Sequence, residues 1–179
     1  MTKPWGMVHG RFQPFHNEHF DYVLRGLSRC HNLVVGITNP EPSEYIAQPE
    51  SQHRHQPDAN LYSFFQRVQM VRQSLLDIGV HLDRVSFVPF HIFTPEKWEF
   101  YLPDAKATTQ FVRVFSPWEE KKVQLFRNYG FQIEILDRGA TKNVEGTGVR
   151  NLMLSGGDWR SKVPTGTAIV IDRIEQGLL

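Results

Sequence analysis

The chain has 179 residues, 40% of them hydrophobic and 22% charged, with a formal net charge of +1. That length suits one domain over residues 1–179, and the near-neutral charge excludes the broad basic surface that a nucleic-acid-binding or membrane-surface module needs. The single cysteine, Cys30, rules out an internal disulfide and a cysteine-built zinc cage and fits a reducing, cytoplasmic setting. Met1 to Gly6 lack the apolar core of a signal peptide, and no apolar run approaches the roughly 20 residues that cross a bilayer.

In chain order, Trp5-Gly6-Met7-Val8-His9 predicts a first strand that runs directly into Gly10-Arg11-Phe12-Gln13-Pro14. A helix is expected from His16 to Cys30, with Phe20, Val23, Leu24 and Leu27 along one face, followed by a buried strand at Leu33 to Ile37. Thr38 to Asn60, rich in proline, glutamine and histidine, predicts a long loop of the kind that serves as a lid or binding loop. The clearest helix covers Ser63 to Gly79, with Phe64, Val68, Val71, Leu75 and Ile78 on its apolar face. Strands follow at Val85 to Pro89, Phe111 to Phe115 and Phe131 to Ile135, with helices at Glu119 to Tyr129, Thr147 to Leu154 and Thr165 to Gln176. The alternation implies an α/β fold with a mainly parallel sheet.

A strand leading through Gly10 into a helix makes an anion site on physical grounds. Free backbone N–H groups and the positive helix end face the mouth of the sheet, and Gly10 admits a close ligand. His16 and His19 lie three positions apart, so a helix projects both to one side, where their rings can donate to phosphoryl oxygens and Arg11 can add a planar fork. Zinc is a competing use of the same spacing, but no Glu or Cys stands at the matching offset, and His53 and His55 fall in the predicted loop. His9, at the strand end, either points into the site or finishes the strand.

Gly-Arg-Phe-Gln-Pro-Phe-His-x-x-His at Gly10 to His19 closely resembles the first motif of the nucleotidyltransferase superfamily, in particular the archaeal-type nicotinamide-mononucleotide adenylyltransferases. Val144-Glu145-Gly146-Thr147-Gly148-Val149-Arg150 resembles that family's second motif, Ile-Ser-x-Thr-x-x-Arg, and Gly157-Asp158-Trp159-Arg160 continues the likeness. The resemblance implies a Rossmann-like, doubly wound, five-stranded parallel sheet with helices on both faces. It further implies that His9, Gly10, Arg11, Phe12, His16, Glu18 and His19 meet the triphosphate from one side and Gly146, Thr147 and Arg150 from the other. Mg²⁺ would be the cofactor, and Arg67 and Trp98 would reach the acceptor.

Three positions depart from the family pattern. Glu18 stands where the first motif usually has glycine, Glu145 where the second has serine, and Ser116-Pro117-Trp118 where relatives tend to carry asparagines. Glu18 and Glu145 could position Mg²⁺, pair with surface bases, or reflect a different nucleotide or acceptor. The implied reaction is transfer of a nucleoside monophosphate from a nucleoside triphosphate to a small phosphate-bearing acceptor, with ATP and nicotinamide mononucleotide giving NAD as the leading expectation. The alternatives are a cytidylyltransferase using CTP and a small phosphate or phosphonate such as phosphonoformate, and a non-catalytic nucleotide sensor. Lys121 and Lys122 read as a solvated helix face, and the apolar and aromatic C-terminal half could support a homo-oligomer.

Overall fold

The computed structural model describes residues 3–44, 57–139 and 144–179. Strand β1 (Lys3–Gly10) begins before its apolar run because Lys3 already pairs with Cys30 of β2 (Cys30–Thr38). The same pairing ends the intervening helix α1 (Asn17–Leu27) three residues short of its expected stop. With β3 (Val85–Phe90), β4 (Thr108–Val114) and β5 (Gln132–Arg138), the strands form one parallel sheet in the order β3-β2-β1-β4-β5. This is the expected doubly wound α/β arrangement.

Alternation along the strands sends side chains to two cores. On one face, α1, α2 (Phe64–Leu76) and α5 (Thr165–Glu175) pack Val23, Met70, Leu75 and Val170 over Val8, Leu33, Val35 and Phe111. On the other, α3 (Pro117–Tyr129) lays Val123 and Phe126 against Met7, Val34 and Val112. Helix α2 stops at Leu76, so Ile78, expected on its buried face, lies exposed ahead of the left-handed Gly79 (φ 77°). Between β3 and β4 the chain makes two short 3₁₀ turns, Pro95–Phe100 and Ala105–Ala107. Within the predicted loop, Pro42–Glu44 and Pro57–Ala59 are also 3₁₀ turns, while His53 and His55 lie outside the described residues. No helix among the described residues is long and apolar enough to cross a membrane.

Strand order reverses direction between β1 and β4, which places a crevice at the carboxyl ends of these two strands, the usual ligand position in open α/β sheets. Their ladder pairs only Trp5 to Met7 with Thr108 to Gln110. Beyond it the Tyr22 hydroxyl, from α1, accepts from the His9 N–H at 3.4 Å and donates to the Phe111 carbonyl at 2.5 Å. The hydroxyl thus satisfies backbone groups that the parting strands no longer give each other.

Candidate active site

The turn after β1 is held from three directions. Phe12 adopts φ 53°, a left-handed conformation that is uncommon for a bulky residue and persists only where its surroundings impose it. Its ring is fully buried and meets Phe15 edge-on at 5.3 Å. The Gln13 side chain pairs with the Tyr62 backbone, donating to its carbonyl at 2.8 Å and accepting its N–H at 2.9 Å. Arg67 supplies the third support. It is fully buried on α2, and its guanidinium donates to the carbonyls of Ser63, Arg11, Thr38 and Asn39 at 2.8–3.2 Å. Arg67, expected to reach the acceptor, is instead engaged by backbone, because burying a guanidinium requires that its donors be met.

His16 is the N-cap of α1 and is buried; His19 follows on the first turn. Their rings stack with centroids 3.5 Å apart and 22° between planes. His19 is also backed by Phe15 (6.0 Å, stacked) and Phe12 (5.0 Å, edge-on). Its Nδ1 accepts the His16 backbone N–H at 3.4 Å. In the neutral ring that assigns the proton to Nε2, which becomes a donor at the helix end. Arg11 lies half-buried between Gly10 and Phe12.

The second motif docks directly onto this turn. Helix α4 (Gly146–Leu154) starts so close to it that a Cβ on Gly146 would stand 2.8 Å from the Gln13 carbonyl oxygen, a position only glycine fits. Arg150, one turn on and buried, donates to that same carbonyl at 2.6 Å and to Thr147 Oγ1 at 3.1 Å. Burial draws the Arg150 pKa below its ordinary value, opposed mainly by the charge of Asp58. A cation desolvated in this way gains from an incoming anion. The amino ends of α1 and α4 therefore flank one turn, with His16, His19, Thr147 and Arg150 around it.

Five other positions singled out in the sequence resolve as follows. His9 is buried between Phe90 (5.5 Å) and Phe126 (5.2 Å), and its Nδ1 finds no hydrogen-bond partner among the described residues. Its pKa is held well below 6.5, first by burial and then by the charge of Lys122, which keeps the ring neutral. Trp98, expected at the acceptor, is a core residue packed on Phe90, Phe126 and Phe131, with Nε1 donating to the His91 carbonyl at 2.8 Å. Glu18 is engaged by Arg113 (3.3 Å) and by the Val144 N–H (3.1 Å), the basic-partner alternative, although Arg113 is a largely buried strand residue and not a surface base. Glu145 is exposed at the N-cap of α4 and makes no capping bond. Ser116-Pro117 starts α3, with Ser116 Oγ accepting the Glu119 N–H at 3.4 Å and proline in the first turn, a common way to open a helix.

Sequence reasoning passed over Tyr62 and Arg113. The signal for Arg113 was present: a charge in the middle of the apolar run Phe111 to Phe115 needs a partner.

Two motifs remote in sequence and joined in space make up the candidate site, and residues 7–152 match the family described as cytidylyltransferase-like. The chain belongs to that family. This cytidylyltransferase-like protein is 38% identical to a phosphonoformate cytidylyltransferase from Streptomyces viridochromogenes, over 93% of the chain and 89% of the relative. It is 27% identical to a nicotinamide-nucleotide adenylyltransferase from Saccharolobus solfataricus, over 89% of the chain and 84% of the relative. Among solved structures, a bifunctional NMN adenylyltransferase/ADP ribose pyrophosphatase from Francisella tularensis superposes with a TM-score of 0.70 at 16% identity over 97% of the chain, which spans 50% of that longer protein. The same enzyme complexed with AMP and a manganese ion gives a TM-score of 0.63 at 16% identity, covering 99% of this chain and 52% of that one. The cytidylyltransferase-like protein is an enzyme of the nucleotidyltransferase class.

Proposed function

We propose that this cytoplasmic enzyme moves a cytidylyl group from CTP to a small phosphonate or phosphate, with phosphonoformate as the first acceptor to test. The observation that carries the choice of base is the 38% identity to phosphonoformate cytidylyltransferase over 93% of the chain, against 27% to the adenylyltransferase. Arg67 and Trp98, the two residues expected at the acceptor, are taken up by backbone and core contacts, so neither lends support to nicotinamide mononucleotide. The second reading, ATP and nicotinamide mononucleotide giving NAD, is favoured by the adenylyltransferase relatives, including another from Picrophilus torridus at 27% identity over 93% of the chain and 89% of that relative.

In either case an anionic acceptor oxygen attacks the α-phosphorus. The bond from that phosphorus to the bridging oxygen breaks, and pyrophosphate leaves in line. The acceptor oxygen is already ionised, so no general base is assigned. His16, Nε2 of His19, Arg11, Thr147, Arg150 and the amino ends of α1 and α4 orient the triphosphate and offset the charge that grows on the leaving group. The described residues hold no group of three or more His, Cys, Asp or Glu side chains able to bind a metal. Mg²⁺ would neutralise phosphate charge when bound, and Glu145, exposed at the N-cap of α4 without a capping bond, is a carboxylate that would help hold it.

Pyrophosphate release from CTP or ATP, each with phosphonoformate or nicotinamide mononucleotide, tests the proposal. Turnover with CTP and phosphonoformate is expected. Turnover confined to ATP and nicotinamide mononucleotide would reverse the assignment, and binding without release under any pairing would favour the sensor.

A further inference from the structure

Glu18 sits in the first turn of α1 with its side chain only 15% exposed. One carboxylate oxygen accepts the Val144 N–H at 3.1 Å, and the other meets Arg113 Nη2 at 3.3 Å. Arg113 Nη1 also donates to the Glu18 backbone carbonyl at 3.2 Å. Its Nε lies 2.9 Å from Asp137 on β5, and Asp137 in turn holds Arg25 of α1 at 2.8 Å. Charges thus alternate from Arg25 through Asp137 and Arg113 to Glu18. The series ends on the backbone of Val144, just ahead of Glu145, the N-cap of α4.

The geometry points to Glu18 as a positioning residue: by holding the Val144 N–H it sets where the amino end of α4, with Thr147 and Arg150, stands relative to His16 and His19. The inference rests on the reading of this site as a triphosphate grip. The other ion pairs already tie α1 to the sheet, and among the described residues of this network it is the Glu18 carboxylate that crosses to the second motif. Arg113 offsets the carboxylate's charge, so Glu18 can stand in the phosphate-binding motif without adding a net repulsion. A hydrogen bond to an ionised acceptor is commonly worth about tenfold in an equilibrium, which sets the scale of the effect.

Hydrogen–deuterium exchange without nucleotide, paired with steady-state pyrophosphate release, tests this. Glu18→Gly is expected to speed exchange at Val144 to Val149 by about tenfold and to raise KM for the triphosphate by a similar factor, with kcat changed far less. Glu18→Gln keeps an acceptor for the Val144 N–H and should recover most of both losses. If Glu18→Gly also loses protection across α2, a sign of global unfolding, Glu18→Asp repeats the test with the charge kept and the reach shortened. Unaltered exchange at Val144 to Val149, or a KM within twofold of the original, overturns the inference. If the unmodified enzyme binds no triphosphate, the proposed function fails, and the exchange measurement still decides whether Glu18 positions α4.

Discussion

A buried imidazole at His9 makes stability depend on pH in a defined direction. Above its ordinary value of 6.5 the ring is neutral in folded and unfolded chains alike, so the contribution is fully present there. As pH falls below 6.5 toward the lowered folded value, the unfolded chain takes up a proton that the folded chain resists, and stability drops by up to about 1.4 kcal/mol per pH unit. Urea titrations across this window should show the loss, and His9→Phe, which keeps a ring between Phe90 and Phe126, should flatten it. An unchanged slope in His9→Phe would mean that His9 is not held neutral. His19 makes a different use of the same side chain: its Nδ1 accepts the His16 backbone N–H and its ring is stacked on that of His16.

At the scale of elements, α2 matters to the site chiefly through one arginine. Arg67 joins the turn after β1 to the turn after β2, and the two non-glycine residues with left-handed backbone among the described residues, Phe12 (φ 53°) and Asn39 (φ 49°), lie in those turns. Arg67→Met takes the guanidinium donor from four carbonyls, of which only that of Ser63 keeps the backbone N–H of position 67, and should destabilise the chain by about 3 kcal/mol or more, read as a fall in urea midpoint. A loss below about 1 kcal/mol would show that the turns hold themselves. This role was partly legible, since position 67 falls on the apolar face set by Phe64, Val68 and Val71, where an arginine must find internal partners. The motif at Gly10 to His19 was fully legible because its residues are contiguous. Strand β4 was not: Thr108, Thr109 and Gln110 are polar yet buried, and a search by hydrophobicity starts the strand three residues late. Trp98 misled for a related reason. It stands in a 3₁₀ turn with no period to say which way it faces, and the aromatic cluster beneath it forms only when β3, α3 and β5 are assembled.

For the whole molecule, ligand binding and folding should be tightly linked, since the site is made of contacts between distant segments. CTP at a hundred times its dissociation constant should add about 2.7 kcal/mol of stability, a rise in Tm of roughly 5–10 °C for a chain of this size. Differential scanning fluorimetry with CTP and ATP in parallel reads this directly, and a larger shift with ATP would count against the cytidine assignment. Arg150 reaches back to Gln13 across 137 positions, and the Val144 N–H to Glu18 across 126. A ribosome must therefore add most of this chain before the histidine turn acquires its second wall. A nascent chain ending ahead of α4 would carry the recognisable motif and still be unable to grip a nucleotide, so the catalyst appears late in its own synthesis.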